Sequence, residues 1–263
     1  APDAKWINAR VFGNNDESAT IDGFLAAAQW MIKPGGDVHN APSIINNSWG
    51  GDSVADPWFE SAVEAWRQMD ILPVFAAGNQ RSGESLPGPS SISNPANLGG
   101  AFAVGAVDSK GILAYFSKRG PSQFPRVPGW KPEISAPGVQ IRSAVEDGYA
   151  YMSGTSMAAP HVAGVAALLK SADSNLTVKD LENYLTSTAE PRTDSIYPTA
   201  PNHGYGYGIV NAYDAVSKVR NKQRASIEGK VVLPAGNEGV EASVTVKETN
   251  RSVKTNRDGE YKI

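Results

Sequence analysis

The sequence predicts an α/β protein with a mostly parallel sheet and helices on both faces, followed by a small, partial all-β sandwich-like module. Two observations lead to this fold class. Over residues 1–220, apolar runs typical of buried strands alternate with amphipathic helical segments. Beyond this point short strands of alternating polarity are separated by turn sequences. We therefore predict an α/β domain at 1–220, a linker at 221–225 and the start of a β-module at 226–263.

Four helices are predicted in the α/β domain. Thr20 is a typical N-cap residue, and Asp56-Pro57 predicts a helix with proline at its first position. Thr177 and Asp180 form a capping-box pattern ahead of another helix. A small-residue helix is predicted over Ser156 to Lys170.

Apolar runs predict three buried strands in the same domain. They lie at Ser43–Ser48, Leu72–Ala77 and Ala101–Val107. Because ligands bind at the carboxyl ends of the strands in open α/β sheets, residues that follow these strands are expected to line a cleft. The β-module is predicted to hold strands at Ile227–Leu233, Ala242–Glu248 and Arg251–Thr255, with turns at Pro-Ala-Gly-Asn (234–237) and at Asp258-Gly259.

The composition excludes several classes of function. With 24 basic and 27 acidic residues, the formal net charge of -3 gives no reason to expect nucleic acid or an anionic membrane as partner. The absence of cysteine rules out disulfides, thiolate zinc sites and a cysteine nucleophile. The sequence contains no uncharged apolar run of about 18 residues, so no membrane span is predicted. We predict no cofactor and leave a structural calcium ion open, since no dense set of oxygen ligands specifies one.

A Gly-Thr-Ser sequence opens the helix that begins at Ser156. The run from Ser153 to Gly164 reads SGTSMAAPHVAG. A serine in the first turn of a helix lies beside unpaired backbone N–H groups and the positive end of the helix dipole, and both favour a developing oxyanion. The same position also suits an ordinary N-cap serine, so the pattern alone leaves both roles open.

This run closely resembles the nucleophile motif of the subtilase family of serine peptidases, and further segments of residues 1–220 resemble that family in its order. The resemblance implies that Ser156 is the nucleophile. The segment Val74–Asn79 resembles the family's oxyanion-hole segment, which implies that the Asn79 amide is the side-chain donor. Within the family, the sequence is most similar to the bacillopeptidase F-like subtilases.

A third segment, Ile45–Gly51, resembles the family's substrate-binding strand. Main-chain pairing with an extended peptide ignores side-chain identity, so broad endopeptidase specificity is expected. The resemblance implies that one wall of the primary specificity pocket consists of Ser48, Trp49 and Gly50, and that the facing wall consists of Ala76, Ala77 and Gly78. The ring of Trp49 is interpreted either as an ordinary core aromatic or as part of the cleft.

The family's triad also needs an aspartate in an Asp-Ser/Thr-Gly turn and a histidine in His-Gly-Thr-His, and neither motif occurs in these 263 residues. His161 is predicted to be a packed, hydrogen-bonded structural histidine, and His39 a loop residue. His203 follows the nucleophile instead of preceding it. We therefore expect an N-terminally incomplete catalytic domain, which depends on a missing N-terminal segment as its partner and is inactive when isolated.

The resulting functional prediction is a secreted or cell-surface serine endopeptidase that acts on protein or peptide substrates. One alternative is a non-catalytic peptide-binding protein that keeps the cleft, and another is a structural surface protein that uses the α/β domain as a scaffold. A carboxyl peptidase of the sedolisin type shares a Gly-Thr-Ser motif, but Asn79 stands where that family would use an acid. The tail resembles carboxypeptidase regulatory-like modules, which implies a spacer or a weak binding module.

Overall fold

The chain folds into two units, Ala1–Ser217 and Lys218–Ile263, which we describe separately. The boundaries predicted at residues 220 and 226 stay predictions. The computed structural model describes residues 2–13, 19–52, 54–81, 83, 85–223, 227–232, 240–247 and 250–263.

A four-stranded parallel sheet forms the centre of the first unit. Its strands follow one another in chain order, so each pairs with the next in sequence. Both β2 and β3 are buried along their whole length, as expected when both faces of a parallel sheet are covered. The predicted α/β class is confirmed. The strands are β1 (Ile44–Asn47), β2 (Leu72–Ala76), β3 (Phe102–Val107) and β4 (Ile134–Pro137).

Among the described residues, four α-helices lie with the sheet in the first unit, and a fifth begins in the first unit and ends in the second. Helix α3 contacts all four strands and α4 packs against α3, while α2 contacts both α1 and β2. The apolar cluster that α1 and α2 share with the sheet contains Phe59, Trp66 and Phe75, all less than 3% exposed. The helices are α1 (Ile21–Ile32), α2 (Glu60–Gln68), α3 (Thr155–Ala172), α4 (Val178–Ser187) and α5 (Ala212–Gln223).

Two of the three helix-start signals are confirmed. The Thr20 hydroxyl accepts the N–H of Gly23, and Thr177 forms the predicted capping box at the start of α4. The signal at Asp56-Pro57 is wrong, because α2 begins at Glu60. The Asp56 carboxylate accepts the N–H of Trp58 at 3.1 Å and forms a turn ahead of the helix instead of starting it.

An antiparallel hairpin that the sequence did not predict precedes α3. Strands β5 (Ile141–Val145) and β6 (Gly148–Met152) pair across a two-residue connection. Most of their residues are exposed, so no apolar run marks them in the sequence. The hairpin leads directly into Ser153 and the start of α3, and it therefore flanks the serine motif.

The described residues of the second unit form two antiparallel strand pairs, β8 with β9 and β7 with β10. The predicted Asp258-Gly259 turn connects β9 to β10, and Gly259 has the positive φ of 78° that such a turn uses. The predicted turn at 234–237, with Leu233 and Glu248, lies outside the described residues. The strands are β7 (Glu228–Lys230), β8 (Ser243–Val246), β9 (Arg251–Lys254) and β10 (Glu260–Lys262).

Candidate active site

Ser156 lies in the first turn of α3, close to the carboxyl ends of the strands. The N–H of Gly154, the residue before the helix, donates to the carbonyl oxygen of Gly138 at 2.8 Å. A Cβ atom on Gly138 would lie 2.7 Å from Cβ of Ala106 and 2.8 Å from the Gly154 oxygen. Because glycine has no side chain, the start of α3 can approach the strand ends this closely, which fixes the position of Ser156.

Asn79 follows β2 and is held by the residue before Ser156. Its side-chain oxygen Oδ1 accepts the N–H and the hydroxyl of Thr155, both at 2.9 Å. The Thr155 hydroxyl oxygen in turn accepts the N–H of Gly78 at 3.1 Å. Thr155 is fully buried and thus couples the Asn79 segment to the start of α3. Sequence reasoning missed this role, although Thr155 stands inside the Gly-Thr-Ser motif.

Two hydrogen-bond donors converge beside Gly154. The point where a Gly154 side chain would begin lies 3.2 Å from Nδ2 of Asn79 and 3.7 Å from the backbone nitrogen of Ser156. In the first turn of a helix, the Ser156 N–H has no intrahelical acceptor. Since Thr155 holds the oxygen of the Asn79 amide, the NH₂ group is the part that can donate to a ligand. Both donors, together with the helix dipole, suit stabilisation of an oxyanion.

The Ser156 side chain faces the segment after β1. Its hydroxyl donates to the carbonyl oxygen of Ser48 at 3.2 Å, and the Ser48 hydroxyl donates to the carbonyl oxygen of Ser156 at 2.8 Å. Ser156 is half-buried. The structure therefore brings Ser156, Asn79 and Ser48 together at one edge of the sheet, where the sequence placed them.

The first predicted wall, Ser48–Gly50, directly follows β1. Ser48 and Trp49 are half-buried and Gly50 is exposed. Within the described part of the chain, none of the three takes part in strand pairing. Apart from the Ser48 carbonyl, which accepts the Ser156 hydroxyl, their backbone groups are therefore available to an extended peptide. The Trp49 ring packs on Phe24 and Phe75, with centroids 4.2 and 5.6 Å apart, which favours the core-aromatic interpretation of that ring.

The second predicted wall, Ala76–Gly78, is joined to the first through Ser93 and Asn94. Ala76 and Ala77 are buried. The N–H of Ser93 donates to the carbonyl oxygen of Ala77 at 2.9 Å, while the carbonyl oxygen of Asn94 accepts the N–H of Gly51 at 2.8 Å. No motif in the sequence marked Ser93 or Asn94, because their effect comes only from tertiary contacts.

None of the three histidines hydrogen-bonds to Ser156 in the described structure. Nδ1 of His161 donates to the carbonyl oxygen of Met157 at 2.8 Å, so the predicted hydrogen bond is present. The ring is exposed, however, and the prediction of a packed side chain is wrong. The ring of His161 is exposed because it lies on the outer face of α3. His39 lies in a short exposed turn, as predicted.

His203 packs against Trp130 and Lys131, whereas the Ser156 side chain faces Ser48. Its Nδ1 is 3.3 Å from the carbonyl oxygen of Lys131, and its ring packs on Trp130 with centroids 4.7 Å apart. Burial lowers the pKa of His203 below the ordinary value for histidine. The hydrogen bond of Nδ1 to the Lys131 carbonyl favours the protonated ring, but burial is the larger effect and favours the neutral imidazole.

Neither a metal cluster nor a membrane span occurs in the part of the chain that the structure describes. No group of three or more His, Asp or Glu side chains there could hold a metal ion. No helix there is both long and apolar enough to cross a bilayer. The candidate site consists of hydroxyl, amide and backbone groups, whose chemistry suits nucleophilic attack and oxyanion binding.

Comparisons with known proteins agree with this chemistry. The Subtilase family profile matches residues 1–208. The chain is 49% identical over 245 residues to Bacillopeptidase F of Bacillus subtilis (strain 168), covering 87% of this chain and 16% of that protein. It is 36% identical over 212 residues to Subtilisin DY of Bacillus licheniformis, covering 80% of this chain and 68% of that protein.

A solved structure supports the same relationship at the level of the fold. The structure of the prenylagaramide maturation protease PagA matches with a TM-score of 0.63 and 29% sequence identity. The match covers 80% of this chain and 71% of that protein. The resemblance that the sequence motifs indicated is confirmed.

Proposed function

Because this chain belongs to the subtilase family, we propose that it carries the nucleophile of a serine endopeptidase, which hydrolyses peptide bonds in proteins through an acyl-enzyme on Ser156. The observation that carries the proposal is that Nδ2 of Asn79 and the backbone nitrogen of Ser156 both lie near one point beside Gly154, at the start of the helix that carries the Ser156 hydroxyl. A serine that only caps a helix would not require the Asn79 amide, which Thr155 holds in place, near the start of the helix.

The proposed reaction begins with attack of the Ser156 oxygen on the carbonyl carbon of the scissile peptide. The carbonyl oxygen becomes an oxyanion, which Asn79 Nδ2 and the Ser156 N–H stabilise. The C–N bond then breaks, the amine leaves with a proton, and water hydrolyses the ester on Ser156. The positive end of the α3 dipole adds to the stabilisation because the oxyanion forms at the first turn of that helix.

The substrate is proposed to bind as an extended strand along Ser48–Gly50. These residues continue β1 beyond its last pair with β2, so their backbone groups are in place to extend the pairing to a peptide. The facing segment, Ala76–Gly78, would form the other side of the groove. The side chain before the scissile bond would then enter the space between the two segments.

The general base is proposed to come from outside these 263 residues. A serine hydroxyl is a weak nucleophile unless a base accepts its proton. Among the described residues, the hydrogen-bond acceptor for the Ser156 hydroxyl is the Ser48 carbonyl, which is too weakly basic for this task. The family's triad aspartate and histidine would supply the base, in the full-length product of the gene.

The alternative is a peptide-binding protein without catalytic activity. The observation in its favour is the same hydrogen bond from Ser156 to Ser48, which engages the hydroxyl with a non-basic partner. Such a protein would bind extended peptides at the groove without cleaving them.

The family resemblance also supports a secreted or cell-surface location and a spacer or binding role for the β-module, which we propose together with the peptidase.

Activity of the full-length gene product tests the proposal. The full-length protein is expected to cleave casein and to react with a fluorophosphonate probe at Ser156, and both properties should disappear in Ser156→Ala. The 263-residue chain should react slowly and cleave little, because binding and oxyanion stabilisation alone leave about a thousand- to ten-thousand-fold acceleration over water.

Two results would contradict parts of this proposal. Cleavage of casein by the 263-residue chain, lost in Ser156→Ala, would show that a base inside the chain activates the serine. Peptide binding by a full-length protein that neither cleaves casein nor reacts with the probe would favour the peptide-binding alternative.

A further inference from the structure

A cavity of about 530 Å³ borders both Asn79 and Ser153, which is three residues before the nucleophile. The strands of the sheet follow one another in the order β1-β2-β3-β4. The cavity is lined by residues that come after β2, β3 and β4, whereas the proposed substrate groove lies at the ends of β1 and β2. A peptide whose acyl half lies along Ser48–Gly50 and whose scissile carbonyl reaches Asn79 therefore carries its leaving half towards this cavity.

One wall of the cavity is the segment Leu113–Phe116, and Val139 adds a further apolar side chain. The N–H of Gln80 donates to the carbonyl oxygen of Phe116 at 2.8 Å, which ties this wall to the segment after β2. The Tyr115 ring packs edge-on against Phe116 with centroids 5.3 Å apart, and Tyr115 is 69% exposed. The wall therefore offers apolar surface on which the methylene groups of a long side chain can pack.

The cavity also contains a carboxylate. Asp108, which directly follows β3, is the charged residue among the described residues that line the cavity. Its Oδ1 accepts the N–H groups of Lys110 at 2.8 Å and of Ile112 at 2.9 Å, and these bonds hold the carboxylate in place. Within the described part of the chain, Oδ2 has no hydrogen bond and Asp108 has no ion pair. Its negative charge is thus available to a ligand.

We propose that this cavity binds a basic side chain, arginine or lysine, from one of the first two residues after the scissile bond, and that Asp108 selects it. The inference rests on the proposed function, because it assigns part of the substrate class of the same site. An extended peptide advances by about 3.3–3.6 Å per residue, so the first two residues after a carbonyl held at Asn79 remain next to the cavity. The cation would bind Oδ2 of Asp108 while its methylene groups cover the Leu113–Phe116 wall.

The expected preference is moderate because Asp108 is only half-buried. A fully buried hydrogen bond between charged groups favours the cation by about tenfold to a hundredfold, and an exposed ion pair by about fivefold or less, so we expect about 5- to 20-fold here. Citrulline has nearly the shape of arginine but carries no charge. The ratio for arginine and citrulline peptides therefore separates the effect of the charge from that of side-chain size.

The first experiment measures kcat/KM of the full-length protein for internally quenched peptides with arginine or citrulline at both of the first two positions after the scissile bond. Mass spectrometry confirms the cleaved bond. We expect an arginine-to-citrulline ratio of about 5 to 20, which added salt should lower. The ratio should fall to about 1 in Asp108→Asn, since asparagine keeps an oxygen that can accept the N–H groups of Lys110 and Ile112.

The matched control is Asp22→Asn, which removes the same charge from an exposed residue of α1 that does not line the cavity. It should keep the parent ratio. Because both peptides are cleaved by the same sample, the ratio does not depend on the fraction of folded protein. A merely structural role of Asp108 would therefore lower both rates and leave the ratio unchanged.

The second experiment measures binding of the same two peptides to the 263-residue chain carrying Ser156→Ala by calorimetry. Tighter binding of the arginine peptide, lost when Asp108→Asn is added, supports the inference even if the full-length protein cleaves nothing, in which case only the proposed function fails. Cleavage with a ratio near 1, or a ratio that Asp108→Asn leaves unchanged, overturns the inference and leaves the peptidase intact. Failure of both cleavage and binding overturns both.

Discussion

Replacement of Gly78 with alanine tests how tightly the segment before Asn79 packs on Ser93 and Lys118. Gly78 has a φ of +101°, a region that residues with a side chain rarely adopt. An added Cβ would overlap the hydroxyl oxygen of Ser93 and would lie 2.8 Å from its Cβ and 2.9 Å from Cδ of Lys118. The substitution therefore combines backbone strain with steric overlap, and neither neighbour can move freely because both are buried.

The expected destabilisation is the sum of these two effects. Holding a non-glycine residue in such a conformation costs about 1–3 kcal/mol, and overpacking a buried site costs about 1–3 kcal/mol more. The matched control is Gly148→Ala, since Gly148 has a φ of +115° and nothing lies within 4 Å of its potential Cβ. Gly148→Ala should lower the free energy of unfolding only through backbone strain, by about 1–3 kcal/mol. The difference between the two variants therefore measures how tightly Gly78 packs on Ser93 and Lys118.

Urea unfolding followed by tryptophan fluorescence provides the measurement. All six tryptophans lie within the first 217 residues, so the signal reports the unit that contains the site. The midpoint of Gly78→Ala should fall below that of Gly148→Ala, with similar slopes. Equal midpoints for the two variants would refute the reasoning, because they would mean that Ser93 and Lys118 do not confine Gly78.

Three further outcomes are expected. Asn79→Ala should lower kcat of the full-length protein by about a hundred- to a thousand-fold with a smaller change in KM, as steady-state kinetics would show. Thr155→Val removes the hydroxyl between Gly78 and Asn79, so urea unfolding should show a loss of about 1–3 kcal/mol. His203→Gln should make stability less sensitive to pH below about 6.5, as measured by the same unfolding assay.

The sequence predicted most of the elements that position the serine. Buried parallel strands and small-residue helices leave strong apolar patterns, and the positions of β1, β2, β3 and α3 follow from them to within a few residues. The hairpin of β5 and β6 left no such pattern because its residues face water. The start of α2 was misplaced because an aspartate can either cap a helix or stabilise a turn ahead of one, and Asp56 does the second.

The candidate site was predicted in its motifs but not in its supporting contacts. Ser156 and Asn79 are marked by glycine-containing sequences that resemble a known family. The couplings through Thr155 and Ser93, and the contact of the Lys118 side chain with Gly78, join residues 15 to 77 positions apart along the chain and leave no local signal.

The pH prediction at His203 follows from the direction of its pKa shift. Burial lowers the pKa of His203 below the value near 6.5 that histidine has in an unfolded chain. Below about pH 6.5 the unfolded state therefore binds more protons than the folded state, so stability contributed by neutral His203 is present above that pH and is lost as the pH falls.

The hydrogen bond of Nδ1 to the Lys131 carbonyl acts in the opposite direction and raises the pKa of His203, but burial is the larger effect, so the sign of the pH dependence holds. His203→Gln removes the protonation and should leave a shallower loss of stability in acid. His39→Gln, at an exposed turn, is the control and should retain the parent profile. An identical acid loss in His203→Gln and the parent would exclude His203 as the group responsible.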